Sequence, residues 1–366
     1  MRYALIIAGG SGTRLWPMST RDLPKQLIPL FNGKSLLELA VERLLGLVDA
    51  DKLYVCAGES MKDVMLQKIP SLSADRFIAE PMGRDTLNAV ALSCAVLQKI
   101  DPDATVGVFT ADQLIEPADT FCKVVSSGYD VAESSDDLLV TFGVEPTHPA
   151  TGYGYLELAK DLLGHEQAKL VGTFKEKPDL ATAERYVSQG PDRFLWNSGM
   201  FVWQAKTLLR AVEQFAPENH GPIMDLASAW GTSQWSSRAT EIYPNLKKIS
   251  IDFAVMEPAS ESSEFRVAAL PLPIRWLDVG SWPSYQGTLT PDGEGNATSG
   301  CKQTLLDCRN TLVASDDPDH LVAAIGLEDV IIIRTDKATL VCRAEDAERI
   351  KQLHAAIGDA HGDDYL

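Results

Sequence analysis

A glycine-rich stretch followed by an arginine lies near the start of the chain and is the first candidate for chemistry. Residues 3–8 form an apolar run that leads directly into Gly9-Gly10-Ser11-Gly12-Thr13-Arg14. Glycines let backbone N–H groups approach a phosphate without a Cβ in between. Arg14 adds a permanent positive charge with several donors, and Lys25 adds a second cation nearby in sequence. Together these residues predict a polyphosphate site.

Two familiar phosphate-binding loops do not match this stretch. The dinucleotide-binding loop has a third glycine three residues after the second, but Leu15 stands three residues after Gly12. The nucleoside-triphosphatase loop needs Gly-Lys followed by Ser or Thr, and neither Gly9 nor Gly10 begins that pattern. The loop is therefore of a third type. A simple turn after a strand is the alternative for the loop alone, and the two cations favour phosphate binding.

An acidic residue ends a second apolar run. Residues 105–113 read as a strand that carries a single carboxylate, Asp112, at its end. In open α/β sheets ligands bind beyond the carboxyl ends of the strands, so Asp112 is a candidate ligand-binding residue. An aspartate that caps a turn is the alternative.

Two further stretches combine small polar residues with aromatic ones. In residues 151–157, glycines alternate with tyrosines, which suits a flat polar ligand such as a sugar that approaches the backbone at Gly154. A plain hairpin is the alternative. Asn197, followed by Ser and Gly, stands between aromatic residues and is the more specific feature.

Strand-like and helix-like patterns alternate along most of the chain, which predicts an α/β fold with a mostly parallel sheet flanked by helices. Ser35 and Glu38 match a capping box at the start of one helix. Asp85 or Thr86 is expected to cap a helix over 88–100, so that its N-terminal amides lie beside Arg84.

The composition changes near residue 287. Residues 287–300 are polar and glycine-rich, and this linker candidate divides the chain into a catalytic domain, 1–287, and a small β-rich domain, 288–366. Short strands and a helix over 345–357 are predicted beyond it. The final polar residues, from Gly358 onward, are expected to be frayed.

The net charge of −18 argues against nucleic acid and anionic membranes as partners, since both are bound through basic surfaces. The six cysteines are dispersed without a Cys-x-x-Cys pair, which favours core thiols in a reducing compartment. No secretory leader is apparent at Met1-Arg2, and we expect a cytoplasmic protein.

The opening motif, with Trp16-Pro17 after Arg14 and the later Pro24-Lys25-Gln26, resembles the signature of sugar-1-phosphate nucleotidylyltransferases, in particular the mannose-1-phosphate guanylyltransferase branch. Further motifs match the same family in the same order along nearly the whole chain. The resemblance implies a Rossmann-like nucleotidyltransferase fold, with a short β-rich tail that aids assembly, for example as a homodimer.

The resemblance also implies roles for individual residues. It makes Arg14, Lys25 and Lys177 catalytic, and it makes Asp112 and Asp278 the ligands of Mg²⁺. Residues 251–257 would brace the sugar-binding loop. The sugar-binding residues would be Gly154, Glu176 and Asn197. The nucleotide-binding residues would be Ala8, Gly9, Gly10, Gly12, Thr13, Arg84 and Asp85.

The implied reaction is transfer of GMP from GTP to α-D-mannose 1-phosphate, with release of pyrophosphate. Some positions depart from the family pattern: Asp85 replaces Asn, Asn88 replaces Pro, and Thr110 and Gln113 flank Asp112 in place of Pro and His. A nucleotidylyltransferase for another nucleotide or sugar therefore remains open, as does a non-catalytic sugar-nucleotide sensor. A second, phosphomannose isomerase activity is disfavoured, because the tail is short and its histidines are not clustered.

Overall fold

The chain forms two compact units. The computed structural model describes residues 1–10 and 12–366, so Ser11 of the glycine-rich loop lies outside the described residues. The first unit comprises residues 1–9, 41–110 and 115–275, and the second comprises residues 10–40, 111–114 and 276–366. The domain boundary predicted near residue 287 stays a prediction.

Seventeen strands and eleven α-helices are present in the described residues. The strands are β1 (Arg2–Ile7), β2 (Leu53–Gly58), β3 (Phe77–Glu80), β4 (Thr105–Thr110), β5 (Gln113–Glu116), β6 (Leu138–Val144), β7 (Tyr155–Leu162), β8 (His165–Lys175), β9 (Phe194–Gln204), β10 (Arg266–Pro271), β11 (Arg275–Asp278), β12 (Ala297–Ser299), β13 (Lys302–Leu306), β14 (Leu312–Ser315), β15 (Leu321–Ile325), β16 (Val330–Arg334) and β17 (Thr339–Arg343). The helices are α1 (Leu36–Leu44), α2 (Lys62–Lys68), α3 (Asp85–Ile100), α4 (Ala118–Glu133), α5 (Leu180–Ser188), α6 (Ala205–Phe215), α7 (Pro217–Ser228), α8 (Trp235–Ile242), α9 (Glu257–Ser260), α10 (Trp282–Gln286) and α11 (Ile350–His361).

A nine-stranded sheet organises the first unit. Its strands lie in the order β3-β2-β1-β4-β9-β6-β10-β8-β7. The strands β8 and β9 run opposite to the other seven, so the sheet is mostly parallel, as predicted. In the parallel pair of β1 and β4, Ile7 lies opposite Thr110, and the carboxyl ends of both strands therefore meet at one edge of the sheet.

Helix α3 is the central helix of this unit. Every residue from 87 to 97 is buried, and a helix that is apolar on all sides is typical of a core position. The helix begins at Asp85 rather than near residue 88, and the Asp85 carboxylate accepts a hydrogen bond from the backbone N–H of the next residue, Thr86, at 2.9 Å. The residue at the N-cap is Arg84 and no side-chain hydrogen bond caps the helix there, so the predicted cap by Asp85 or Thr86 is wrong.

The strand that leads to Asp112 is shorter than expected. It ends at Thr110, and Asp112 lies in the two-residue link to β5. The predicted capping box is confirmed, because the Ser35 N–H donates to Glu38 at 2.7 Å and the Glu38 N–H donates to Ser35 Oγ at 3.2 Å. None of the described helices combines the length and apolar character needed to cross a bilayer.

Stacked short strands build the tail of the second unit. The strands β12, β14 and β16 pair in parallel, as do β13 and β15, and β17 closes the larger sheet in the antiparallel direction. Leu312 pairs with Ile331 and Lys302 with Leu321, so two of the three parallel pairs have an offset of 19 residues, whereas Ala297 pairs with Leu312 at an offset of 15. Because the paired residues lie this far apart in the sequence, the local pattern predicts the short strands but not their pairing.

The end of the described chain is ordered by the second unit, so the predicted fraying from Gly358 onward is wrong. The Trp16 indole N–H donates to the Tyr365 carbonyl at 2.7 Å, and Arg21 Nη1 donates to Asp363 at 2.5 Å. These bonds attach the final residues to the segment that follows Arg14. The final residues are therefore held in place although their composition is polar.

Candidate active site

The glycine-rich loop of the second unit packs against Lys25. Gly12 has φ +65°, and a Cβ there would lie 2.6 Å from Lys25 Cβ and 2.7 Å from Ser19 Oγ. Gly10 has φ +94°, and its Cβ would lie 3.7 Å from Lys25 Cε. Both positions require glycine for backbone conformation, and Gly12 requires it for space as well. The loop therefore sets the position of the lysine, and Thr13 begins a single helical turn that leads to Arg14.

Lys25 forms an ion pair with Asp112. The Nζ–Oδ2 distance is 2.7 Å, and the two side chains are 11% and 27% exposed, which is well below the exposure of an ordinary surface pair. The sequence reasoning placed both residues at the site, but it paired Lys25 with phosphate and Asp112 with metal. The structure shows that the two side chains also form an ion pair with each other.

Asp278 lies beside this pair. The Val279 N–H donates to the Asp112 carbonyl at 3.0 Å, so the two acidic segments are joined by their backbones. Burial and the neighbouring Asp112 charge raise the pKa of Asp278 to about 6, while Lys25 and Arg14 oppose this rise. Two carboxylates and two cations thus converge in the second unit.

The donor set of Asp112 and Asp278 fits Mg²⁺. Two nearby carboxylates repel each other, and a divalent cation would relieve that repulsion. In residues 1–10 and 12–366 no group of three or more His, Cys, Asp or Glu side chains could hold a metal ion. Magnesium is usually bound through only one or two carboxylates, with substrate phosphates and water in the remaining positions, which agrees with a two-aspartate site.

A second cluster, in the first unit, surrounds Gly154. A Cβ at Gly154 would lie 2.5 Å from Glu176 Oε2 and 3.3 Å from Asn197 Cβ, so a larger residue would have to displace the Glu176 carboxylate. The Asn197 N–H donates to the Gly154 carbonyl at 2.8 Å. The structure therefore brings together the three predicted sugar-binding residues, which come from β9 and from the ends of β7 and β8.

Lys177 belongs to the same cluster. Its Nζ lies 3.2 Å from Glu176 Oε1, and its side chain is 54% exposed whereas that of Glu176 is only 7% exposed. Burial raises the pKa of Glu176, and Lys177 opposes the rise. The exposed ammonium and the buried carboxylate could contact different parts of one polar ligand.

Both ends of the Asn197 amide are held by the protein. The Thr141 hydroxyl donates to Asn197 Oδ1 at 2.8 Å, and Asn197 Nδ2 donates to Asp252 Oδ1 at 2.8 Å. Residues 251–257 therefore contact Asn197 directly, as the bracing role expected of them requires. Thr141 was missed by the sequence reasoning, because it lies within an apolar strand with no pattern that marks it.

The segment around Arg84 is tied to residues 244–251 of the same unit. Arg84 donates to the Pro244 carbonyl, and Thr86 Oγ1 accepts from the Ile251 N–H at 3.0 Å. Asn88 is fully buried and donates to the carbonyls of Arg84 and Lys247 at 2.7 and 2.9 Å. The departure from the family pattern at Asn88 is therefore structural, whereas Asp85 is exposed and available to a ligand.

The predicted site residues thus belong to both units. The second unit contains Gly10, Gly12, Thr13, Arg14, Lys25, Asp112 and Asp278, and the first unit contains Ala8, Gly9, Arg84, Asp85, Gly154, Glu176, Lys177 and Asn197. The residues of the second unit combine cations with carboxylates, which suits phosphates and a metal ion. Those of the first unit add further charged side chains and the amide of Asn197, which can form hydrogen bonds to a sugar and a base.

Comparison with known families agrees with this chemistry. Residues 3–290 match the family described as "Nucleotidyl transferase", and residues 302–355 match a "MannoseP isomerase/GMP-like beta-helix domain". The chain therefore belongs to the nucleotidyl transferase family. The match to a β-helix domain coincides with the stacked parallel strands of the tail.

Several relatives align over nearly the whole chain. The xanthan biosynthesis protein XanB of Xanthomonas campestris pv. campestris (strain B100) is 34% identical over 363 residues, covering 97% of this chain and 73% of that protein. Mannose-1-phosphate guanylyltransferase 2 of Escherichia coli O157:H7 is 33% identical, covering 96% of this chain and 72% of that protein. A crystal structure described as mannose-1-phosphate geranyltransferase from Thermus thermophilus superposes with a TM-score of 0.84 at 29% identity, covering 97% and 99% of the two chains.

Proposed function

We propose that this protein transfers GMP from GTP to α-D-mannose 1-phosphate, forming GDP-mannose and pyrophosphate. The observation that carries the proposal is the convergence of Arg14, Lys25, Asp112 and Asp278 in one unit. Relatives that bear the name mannose-1-phosphate guanylyltransferase support the choice of nucleotide and sugar. The cluster around Gly154 supports a sugar substrate.

The reaction is an in-line displacement at the α-phosphorus of GTP. An oxygen of the sugar phosphate forms the new P–O bond, and the bond from the α-phosphorus to the bridging oxygen of pyrophosphate breaks. The attacking oxygen is already anionic, so no general base and no covalent enzyme intermediate are needed. Catalysis then consists of positioning and charge neutralisation.

The side chains divide this work between them. Arg14 and Lys25 bind the triphosphate and neutralise the charge that develops on pyrophosphate. Lys177 orients the attacking phosphate. Glu176 accepts hydrogen bonds from the sugar hydroxyls, and the Asn197 amide donates to them. Gly154 allows the sugar ring to approach the backbone.

Asp112 and Asp278 would hold Mg²⁺ in the proposed enzyme. When bound, the ion would supply charge neutralisation at the phosphate oxygens. Lys25 is bonded to Asp112 Oδ2, so it orients one of the two carboxylates for this role.

The test is a substrate panel. Purified protein with Mg²⁺ is mixed with each of GTP, ATP, UTP, CTP and dTTP, against mannose 1-phosphate and glucose 1-phosphate, and pyrophosphate release is measured. We expect the fastest release with GTP and mannose 1-phosphate. If another pair of substrates reacts fastest, the proposed type of reaction would stand but the proposed nucleotide or sugar would be wrong. Binding of substrates without release from any pair would support a sensor instead.

A further inference from the structure

Arg14 makes an ion pair that no motif indicates. Its Nη1 donates to both carboxylate oxygens of Glu348, at 2.9 and 3.1 Å. The two residues are 334 positions apart, and Glu348 lies in the helical turn Ala344–Arg349 that follows β17. Both belong to the second unit. A residue of the β-rich tail therefore contacts the arginine of the glycine-rich loop.

The backbones on both sides of this pair are anchored in one hydrophobic cluster. Leu15 and Trp16, which follow Arg14, are 1% and 5% exposed, and Ala347 and Ile350, which flank Glu348, are 3% and 2% exposed. All four belong to the same core. The side chains are themselves solvent-exposed, at 43% for Arg14 and 71% for Glu348. The pair is thus formed between two fixed backbone segments, and only the two side chains have to be ordered to form it.

The geometry leaves part of the guanidinium available. Glu348 engages only Nη1, so Nε and Nη2 of Arg14 have no hydrogen-bond partner within residues 1–10 and 12–366. Nη2 lies 3.2 Å from the position that a Cβ on Gly280 would take, and that Cβ would be 3.6 Å from Asp278 Oδ1. The remaining donors are therefore held close to the carboxylate that is proposed to bind the metal ion.

We propose that Glu348 is a positioning residue that orients Arg14 for the triphosphate. The inference rests on the proposed function, since it assigns Arg14 to the nucleotide. By holding Nη1, Glu348 fixes the plane of the guanidinium while two donors stay available to phosphate oxygens. The tail then contributes to the nucleotide site, in addition to any role in assembly.

The experiment compares Glu348→Gln with Glu345→Gln. Glutamine keeps the size of Glu348 but removes its charge. Glu345 lies in the same helical turn and, among the residues that the structure describes, pairs only with Arg343, at 3.2 Å, which makes it a matched control. We measure GTP binding by calorimetry, the kcat and KM of pyrophosphate release for each substrate, and the melting temperature.

We expect Glu348→Gln to weaken GTP binding and lower kcat/KM for GTP by roughly 3- to 10-fold, with an unchanged KM for mannose 1-phosphate and an unchanged melting temperature. Glu345→Gln should match the wild type. In an Arg14→Ala background, Glu348→Gln should have no further effect, because Glu348 acts through Arg14.

Two outcomes would overturn the inference while leaving the proposed function intact. One is wild-type GTP binding and kinetics in Glu348→Gln. The other is tighter GTP binding in that variant, which would mean that Glu348 competes with the triphosphate. A wild-type protein that binds GTP but releases no pyrophosphate would refute the proposed reaction only, because the effect of Glu348→Gln on GTP binding would still decide the positioning role. A wild-type protein that does not bind GTP would refute both.

Discussion

Lys25 Nζ lies 2.7 Å from Asp112 Oδ2, although the two residues are 87 positions apart in the sequence. One belongs to the segment after the glycine-rich loop and the other to the link between β4 and β5. The contact joins a cation proposed to bind phosphate to a carboxylate proposed to bind magnesium. A disturbance of either residue is therefore expected to affect both functions.

Replacing Lys25 with Ala should abolish most of the turnover without unfolding the protein. The lysine neutralises developing phosphate charge, and loss of one such group typically lowers kcat by about 10²- to 10³-fold. Pyrophosphate release and circular dichroism are the measurements. Lys302→Ala, at an exposed lysine of the same unit that pairs with Asp319, is the control. Turnover near the wild-type value in Lys25→Ala would show that Lys25 is not needed for catalysis.

Asp278→Ala should fold normally and lose turnover, by about 100-fold or more, since the proposed metal site would retain only one carboxylate. Chelation of divalent ions should inactivate the wild type to a similar degree. Because the Asp278 carboxylate is buried and repelled by Asp112, Asp278→Asn should not lower the melting temperature. Asp319→Asn, at an exposed aspartate of the same unit, is the control. Retained activity in Asp278→Ala, or in the presence of chelator, would contradict the magnesium assignment.

Gly12→Ala should displace Lys25. The residue has φ +65°, and the added methyl would lie 2.6 Å from Lys25 Cβ. Gly33 has φ +81° with nothing within 4 Å of its Cβ position, so Gly33→Ala carries the backbone cost without the collision. The backbone conformation should cost both variants about 1–2 kcal/mol of stability, and Gly12→Ala should lose more because of the collision and should alone lose turnover. Equal turnover in the two variants would show that the loop does not set the position of Lys25.

Gly154→Ala should affect the sugar substrate selectively. The methyl would lie 2.5 Å from Glu176 Oε2 and would push that carboxylate away. We expect KM for the sugar phosphate to rise by roughly tenfold or more while KM for the nucleotide stays the same. Gly152 has open space around its Cβ position, so Gly152→Ala is the matched control. An equal rise of both KM values would argue against a sugar site here.

Asp252 should make the stability of the protein depend on pH. Burial, followed by the charge of Glu176, raises the pKa of Asp252 to about 7, and the hydrogen bond from Asn197 and the charge of Lys177 oppose the rise. An aspartate in the unfolded chain has a pKa of about 4. As pH rises from about 4 to 7 the unfolded state loses its proton first, so the free energy of unfolding falls over this interval and the loss is complete above it.

Asp252→Asn removes this ionisation while keeping an acceptor for Asn197. Its stability relative to the wild type should increase from about pH 4 to about pH 7 and then level off, which denaturant unfolding at several pH values would show. A constant difference across the range would mean that Asp252 is ionised throughout. Asp179→Asn is a suitable contrast, because that helix-capping carboxylate has its pKa lowered by the Thr182 N–H and should lose stability on substitution.

Local features of the fold could be predicted from the sequence because their causes are local. The strand before the glycine-rich loop and the capping box at Ser35 each depend on residues within a few positions. The 19-residue offset of the tail strands was not predicted, because parallel neighbours are joined by long connections that leave no short repeat. The order of the last residues was also missed, since their partners, such as Trp16, lie at the opposite end of the chain.

The sequence by itself determined the residue types of the candidate site and the α/β pattern that carries them, since motif spacing and periodicity are properties of neighbouring residues. Only the tertiary structure decided which of these side chains meet. It paired Lys25 with Asp112, placed Asn197 between Thr141 and Asp252, and brought Glu348 of the tail to Arg14. These contacts span from 55 to 334 positions. Separations of that length are closed by core packing, which the local pattern of a sequence does not specify.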